Sequence, residues 1–240
     1  MKLIFVLAGI ALVLFGAGLL LMPHTEKKET YISITFDDGY VSQYGAMKQL
    51  ENYGWRGVVY FPSGLAGGYF EGLPIMSWEQ LGDLQARGHE IGAHTLTHAK
   101  ASTLSREKFE FEVKEGKLLL MKHQINADSF AYPYNDVKYP DVIKKYFSSQ
   151  RNVNGGINAI GTDEIYGLAL VHNNYGELLT DYLSDLKSEG GWLVLVIHNV
   201  DNDPRPDIDL SPEEYIWVLE QVKASGIPVK TVSEIGNGTT

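Results

Sequence analysis

The segment Tyr31-Ile32-Ser33-Ile34-Thr35-Phe36-Asp37-Asp38-Gly39 predicts a β-strand that ends in two adjacent aspartates and a glycine. Apolar and hydroxyl side chains alternate along its first part, which is the pattern of a strand with two different faces. The two carboxylates follow the strand directly and therefore lie close to the core. An ionised carboxylate near a core must find a cation or strong hydrogen-bond donors, or else take up a proton. The two aspartates are accordingly the first candidates for a functional site.

Two histidines lie four positions apart further along the chain, in His94-Thr95-Leu96-Thr97-His98. Their side chains can face the same way if the segment is helical, and they can also converge on one ion in a tight turn. One carboxylate and two imidazoles form a metal-ligand set that leaves coordination positions open for water and substrate. The other carboxylate is then free to act as a base. Together the two motifs indicate metal-assisted hydrolysis.

Strands and helices are predicted to alternate along the rest of the chain. Further strands are expected at residues 58–61, 90–93, 129–132, 192–197 and 229–232, and helices at residues 41–53, 77–88, 105–123 and 211–224. Residues 192–197 are apolar at every position, as in a parallel strand buried on both faces, and His198 follows them. Alternating strands and helices predict a parallel sheet, and polar residues that repeatedly follow the strands favour a barrel with its site at that end. We therefore expect an α/β barrel.

The overall composition is typical of a folded domain with an acidic surface. The chain has 240 residues, of which 44% are hydrophobic and 21% charged, and its formal net charge is -10. An acidic surface argues against nucleic acid as a partner. Because the chain has no cysteine, disulfides, thiolate metal sites and a cysteine nucleophile are excluded.

Residues 1–22 carry the signal for localisation. A continuous run of apolar residues and glycine occupies residues 3–22, a length that matches the roughly 30 Å hydrocarbon core of a bilayer. The run ends in Leu21-Met22-Pro23, a poor cleavage site, which favours a membrane anchor over a cleaved signal peptide while leaving both open. A polar linker at residues 23–30 and a catalytic domain at residues 31–236 follow. We expect that domain to lie outside the cytoplasm, held at the membrane by its N-terminal helix, or secreted if the segment is removed.

Four motifs in this order resemble those of the polysaccharide deacetylases of the NodB-homology group, carbohydrate esterase family 4. The motifs are Thr35-Phe36-Asp37-Asp38-Gly39, His94-Thr95-Leu96-Thr97-His98, Tyr132-Pro133-Tyr134 and Leu195-Val196-Ile197-His198. Each motif alone is modest evidence, whereas all four in the right order are specific. The resemblance extends over residues 31–235, which is almost the whole predicted domain.

The resemblance implies a distorted (β/α) barrel with about seven strands and a site with defined roles. The implied site residues are Asp37 as catalytic base, His198 as general acid, Asp38, His94 and His98 as metal ligands, and Pro133, Tyr134 and Leu195 as groove residues. The Tyr134 backbone amide would help to hold the oxyanion, and Leu195 would line the pocket for the acetyl methyl group. The implied cofactor is one divalent ion, Zn²⁺ by expectation, with Co²⁺, Ni²⁺ and Mn²⁺ as alternatives.

The chain departs from the family pattern at two points. Ala131 stands where many members have an arginine that orients the base, and Asn135 stands where many have a glycine. Arg151 is the candidate replacement for that arginine. A convincing Asp-x-x-Asp-Trp segment is missing, so the partner that would orient His198 is unassigned.

The function implied by the resemblance is removal of N-acetyl groups from polymers of N-acetylglucosamine, such as chitin, peptidoglycan or poly-N-acetylglucosamine. An O-acetyl esterase acting on glycans such as xylan is one alternative. A glycan-binding protein that has lost turnover is the other, and the absence of arginine at position 131 is the feature that favours it. The expected partners are an acetylated polysaccharide and the membrane, and we expect a monomer.

Overall fold

Seven parallel strands close into a barrel in the computed structural model, which describes residues 28–236. In chain order the strands are β1 (Thr30–Asp37), β2 (Val58–Phe61), β3 (Tyr69–Phe70), β4 (Leu73–Pro74), β5 (Glu90–Ala93), β6 (Ser129–Ala131), β7 (Ser149–Asn152), β8 (Glu164–Ala169) and β9 (Gly191–Ile197). The barrel order is β1-β2-β5-β6-β7-β8-β9, and β9 closes it by pairing along almost the whole of β1. The short strands β3 and β4 form a separate antiparallel hairpin. The predicted α/β barrel is confirmed.

Helices connect the strands and cover the outside of the barrel. They are α1 (Val41–Glu51), α2 (Trp78–Ala86), α3 (Arg106–Lys122), α4 (Pro140–Ile143), α5 (Tyr175–Glu189), α6 (Pro212–Ser225) and α7 (Val232–Gly236). Ser77 and Ser211 each accept a backbone hydrogen bond in a full capping box, which stabilises the first turns of α2 and α6. Among residues 28–236, no helix combines the length and the hydrophobicity that crossing a bilayer requires. The predicted anchor at residues 1–22, and the linker up to residue 27, lie outside the described residues.

Several elements differ from the sequence prediction. The strands β3, β4, β7 and β8 and the helices α4, α5 and α7 were not predicted. The strand predicted at residues 229–232 was wrong, because Val229 makes only an isolated bridge to Ile32 and the chain enters α7 at Val232. These differences place two further strands in the wall of the barrel beside the site.

The core has two layers, because successive side chains of a strand point to opposite faces. One cluster is enclosed by the strands and includes Val58, Tyr60, Ala131, Ile165, Trp192 and Val194. The other lies between the strands and the surrounding helices and includes Ile32, Ile34, Phe36, Leu193, Leu195 and Ile197. Even-numbered residues of β9 therefore face the barrel interior. This parity places His198, the residue after β9, on the interior side.

Candidate active site

The carboxyl ends of the strands meet around a cleft of about 290 Å³. Among the residues that line it are Asp37, Asp38, His94, His98, Tyr134 and His198. Asp37 is the last residue of β1, and His94 and His198 directly follow β5 and β9. Parallel strands present their carboxyl ends at one edge, so residues distant in sequence converge there.

Three of the predicted residues form a cluster that can hold a metal ion. Nε2 of His98 lies 2.9 Å from Oδ1 of Asp38, and Nε2 of His94 lies 3.4 Å from the same oxygen. The ligand atoms of all three residues lie within 4.8 Å of one another, and all three side chains are buried. Within the described part of the chain, this is the one such group of histidine and acidic side chains.

The His94–His98 segment is a turn fastened to α3, not a helix. Thr95 and His98 have φ values of 63° and 60°, in the left-handed region that few residues other than glycine adopt. Glu112 of α3 accepts hydrogen bonds from the backbone N–H and the hydroxyl of Thr97, at 2.9 and 3.0 Å. The hydrogen bonds to Glu112 therefore hold the strained turn in place, and the turn brings both imidazoles to Asp38.

The two histidines are oriented by different means. Nδ1 of His94 lies 2.8 Å from the carbonyl oxygen of Ala131. Since a carbonyl only accepts, Nδ1 of His94 donates to it, and Nε2 is the ring nitrogen that faces Asp38. Nδ1 of His98 is buried without a hydrogen-bond partner among the described residues. Its ring is instead held by packing between Phe70 and Tyr134, each with its ring centroid 4.5 Å away.

The protonation states of this cluster suit a metal ligand set. Burial acts to raise the pKa of Asp38, but hydrogen bonds from His94 and His98 outweigh it and hold that pKa well below its ordinary value. Burial lowers the pKa of His98. The site therefore presents an ionised carboxylate and a neutral imidazole, which are the forms that bind a cation.

Arg151 reaches Asp37, the aspartate outside the metal-ligand cluster, which is the contact expected of a replacement for the arginine missing at Ala131. Its Nη2 donates to Oδ1 of Asp37, and both side chains are buried. Burial acts to raise the pKa of Asp37, but the charge of Arg151, with smaller contributions from His94 and His198, holds it below its ordinary value. Asp37 is thus kept ionised beside the metal ligands.

His198 shares the cleft with Asp37, but within the described part of the chain it has no orienting partner. Its Nε2 lies 4.0 Å from Oδ2 of Asp37, and its side chain is 24% exposed. Its Nδ1 is buried without a hydrogen-bond partner in residues 28–236. Gln43, a residue that sequence reasoning missed, donates from Nε2 to the carbonyl oxygen of His198 at 2.8 Å and also to that of Asp37. It links the ends of β1 and β9.

Two groove residues lie elsewhere than expected. Leu195 is fully buried in the layer between strands and helices, and it is not among the residues that line the cleft. The reason is parity: Leu195 is an odd-numbered residue of β9, so its side chain faces the helices, whereas Val196 shares the interior face with His198. Pro133 is also buried and outside the cleft lining, whereas Tyr134 is 53% exposed and lines the cleft.

Contacts across the cleft mouth involve residues that the motifs did not indicate. Phe70 and Glu71 of the β3–β4 hairpin line the cleft. Nη1 of Arg205 lies 2.7 Å from Oε2 of Glu71, and its Nε lies 2.7 Å from Oδ2 of the buried Asp209. Arg205 therefore ties the hairpin to the loop that follows His198. Only long-range contacts identify these residues, so no local signal could have found them.

Comparison with known sequences gives one family match and two partial matches to known proteins. The family model described as Polysaccharide deacetylase matches residues 24–150 of the chain. A Bacillus subtilis (strain 168) protein, YxkH, whose name assigns it provisionally to the polysaccharide deacetylases, is 30% identical over 126 residues, 50% of this chain and 43% of that protein. A gellan lyase from a Bacillus species is 27% identical over 133 residues, which are 54% of this chain and 5% of the lyase. The chain thus spans less than half the length of either relative.

Solved structures with the same fold cover nearly all of the chain. A peptidoglycan N-acetylglucosamine deacetylase has a TM-score of 0.61 at 13% identity, covering 89% of this chain and 91% of its own. The chitin deacetylase of the fungus Colletotrichum lindemuthianum has a TM-score of 0.61 at 16% identity, covering 88% and 90%. A family 4 acetyl xylan esterase from Clostridium thermocellum, in complex with a cobalt ion, has a TM-score of 0.57 at 16% identity, covering 85% and 89%. At these identities the likeness concerns the fold.

Proposed function

Because this chain belongs to the polysaccharide deacetylase family, we propose that it is a metal-dependent hydrolase that removes N-acetyl groups from a polysaccharide containing N-acetylglucosamine. One observation carries the proposal: a metal-ligand cluster and a separate aspartate–histidine pair line the same cleft. Such a cleft contains the groups needed to bind a cation, to activate a water and to protonate a leaving group.

The residues of the cluster fit a divalent ion. Asp38 is ionised, His94 presents Nε2 because its Nδ1–H is engaged by a backbone carbonyl, and three protein ligands leave coordination positions open. A divalent ion bound there would supply Lewis-acid chemistry, polarising an acetyl carbonyl and lowering the pKa of a water towards about 7. Zn²⁺ is the expected ion, and the cobalt complex of the structurally similar esterase supports Co²⁺ as an alternative.

Asp37 is the proposed general base. It is ionised, it is the last residue of the barrel strand that leads to Asp38, and Arg151 fixes the direction of its carboxylate. In this role Asp37 takes the proton of the water that attacks the acetyl carbonyl carbon. The backbone amide of Tyr134, a residue of the cleft wall, is proposed to donate to the developing oxyanion.

His198 is the proposed general acid. An amine leaves poorly unless it is protonated, so N-deacetylation requires a proton donor on the leaving-group side. Nε2 of His198 lies 4.0 Å from Oδ2 of Asp37, so the proposed acid and base are neighbours in the same cleft.

One observation favours O-acetyl esterase activity as a second candidate. Nδ1 of His198 lacks an orienting hydrogen bond among the described residues, and an alcohol leaving group depends less on a well-placed acid than an amine does. The alternative of a non-catalytic glycan-binding protein is less favoured, because Arg151 supplies the guanidinium that Ala131 cannot.

The apolar run at residues 3–22 supports an extracytoplasmic domain, anchored or secreted.

The test is acetate release from a panel of substrates by the full chain, in metal-free form and after addition of Zn²⁺. The panel contains chitooligosaccharides, peptidoglycan, poly-N-acetylglucosamine and acetylated xylan. The proposal predicts Zn²⁺-dependent release from at least one N-acetylated glycan. Release from xylan alone would establish the esterase, and no release from any member by folded, metal-loaded protein would refute the proposal.

A further inference from the structure

The buried guanidinium of Arg151 has too few hydrogen bonds for its environment. The side chain is fully buried on β7, and Nη2 donates to Asp37, while Nε and Nη1 have no hydrogen-bond partner in the described part of the chain. An ion taken out of water needs compensation for its lost hydration, and one carboxylate supplies only part of it. A further favourable contact inside the barrel would therefore help to hold the guanidinium.

The ring of Tyr60 supplies that interaction. Tyr60 lies on β2, is fully buried, and has its ring centroid 4.9 Å from Cζ of Arg151. A guanidinium over an aromatic face is attracted by the ring quadrupole, and the attraction is larger when water is excluded. Burial raises the pKa of Tyr60 far above its ordinary value, so the ring remains a neutral phenol. The contact is therefore a cation–π contact and not an ion pair.

Two glycines leave the space that this pair occupies. A Cβ atom on Gly92 of β5 would lie 2.4 Å from Cδ1 of Tyr60, and one on Gly167 of β8 would lie 2.7 Å from Cδ of Arg151. Neither glycine has a φ in the left-handed region, so what each provides is room rather than backbone freedom. Ala131, paired with Arg151 in the parallel register of β6 and β7, is a third small residue next to the arginine.

We propose that Tyr60, Gly92 and Gly167 form a seat inside the barrel that positions Arg151 under Asp37, and that Tyr60 is a positioning residue of the deacetylation reaction. This inference rests on the proposed function. The Tyr60 ring fixes the plane of the guanidinium, and the guanidinium in turn fixes the carboxylate of Asp37 towards the cleft. The seat allows an arginine from β7 to serve the aspartate at the end of β1, across the interior of the barrel.

A double-mutant cycle between Tyr60 and Arg151 tests the seat. Tyr60→Leu should lower kcat about tenfold with KM and Zn²⁺ affinity unchanged, because only the placement of the base is affected. In an Arg151→Leu background the same substitution should have no further effect on kcat. Tyr60→Phe retains the ring and should retain activity. Tyr31→Leu is the matched control, since it removes a ring that also faces a cation, Lys230 Nζ at 4.5 Å, away from the cleft.

A measurement on the wild-type chain keeps the proposal testable if Tyr60→Leu fails to fold. NMR of the Arg151 side chain should show resonances shifted upfield by the Tyr60 ring. An equal loss of kcat from Tyr60→Leu in both backgrounds, or Arg151 shifts typical of a free arginine, would overturn the seat. Wild-type protein could also show the upfield shift and yet release no acetate. That result would refute the proposed function and the role of Tyr60 in the reaction, but the Tyr60–Arg151 contact itself would stand.

Discussion

Replacing Gly116 with alanine should weaken metal binding although Gly116 touches no metal. Gly116 is a buried residue of α3, the helix against which the turn His94–His98 packs. A Cβ atom at this position would lie 2.9 Å from the carbonyl carbon of Thr95 and 3.0 Å from the backbone nitrogen of Leu96. Both neighbours are backbone atoms, so neither can rotate away. Either the turn or the helix must move by about 0.5 Å to restore ordinary contact near 3.4 Å.

That displacement is large for a metal site and moderate for stability. Metal–ligand distances vary by only about 0.2 Å between sites for the same metal. Disturbing the groups that hold the ligands typically lowers metal affinity about 10- to 100-fold. We therefore expect Zn²⁺ affinity to fall at least about tenfold. Alanine gains roughly 0.5–1 kcal/mol over glycine inside a helix, whereas overpacking costs about 1–3 kcal/mol. The free energy of unfolding of the metal-free chain should therefore fall by about 0–2.5 kcal/mol.

Gly82 provides the matched control, because it lies in α2 and a Cβ atom added to it would have no heavy atom within 4 Å. Gly82→Ala should raise the free energy of unfolding by about 0.5–1 kcal/mol and leave Zn²⁺ affinity unchanged. Urea unfolding of both metal-free variants and calorimetric titration with Zn²⁺ measure the two quantities. A folded Gly116→Ala chain that binds Zn²⁺ as tightly as wild type would refute the reasoning that contact with α3 holds the turn in place.

Three further predictions concern the base and the strand behind it. Asp37→Asn should abolish acetate release while Zn²⁺ still binds, since it removes the base and not a ligand; retained turnover in a chromogenic or acetate assay would contradict this role. The pKa of Asp37 is lowered in the folded state, so its contribution to stability is present above the usual unfolded value of about 3.9 and is lost as the pH falls below that value. In urea unfolding between pH 6 and 3, the free energy of unfolding should therefore fall less steeply in Arg151→Leu than in wild type. The same pH dependence in both proteins would argue against a stabilising Asp37–Arg151 ion pair. Leu195→Ala should lower the free energy of unfolding by about 2–5 kcal/mol with KM unchanged, because its side chain packs beneath the helices; a KM effect would restore Leu195 as a groove residue.

The motifs that could be predicted are local in sequence. Asp37 and Asp38 come at the end of an alternating strand, and His198 directly follows an apolar one, so each position could be predicted from its neighbours in sequence. The histidine pair needed only a short segment that could turn back on itself. The paired strands then brought these ends together because the sheet is parallel.

One of the missed strands, β7, has a sequence that does not resemble a strand. The strand β7 reads Ser-Gln-Arg-Asn, yet its first three residues are buried. Arg151 is buried because its partners Asp37 and Tyr60 lie on other strands, and Gln150 accepts a hydrogen bond from the buried Tyr132 hydroxyl. Patterns of apolar residues cannot reveal a strand whose buried partners are polar and distant.

The error at Leu195 is one of parity. A shift of one residue moves a side chain from the interior of the barrel to the layer beneath the helices. Which face of β9 is interior depends on how all seven strands close, and Leu195 and Val196 are equally apolar. The same dependence on closure explains why Tyr60, Gly92 and Gly167 could not be selected in advance as partners of Arg151.

Calorimetric titration of the metal-free full chain with Zn²⁺ tests the central claim most directly, with His98→Ala as the comparison. We expect uptake of one ion per wild-type chain and a large loss of affinity in the variant, because a ligand of the cluster has been removed. Folded wild-type protein that takes up no Zn²⁺, Co²⁺, Ni²⁺ or Mn²⁺, or a variant that binds as tightly as wild type, would contradict the proposed metal centre.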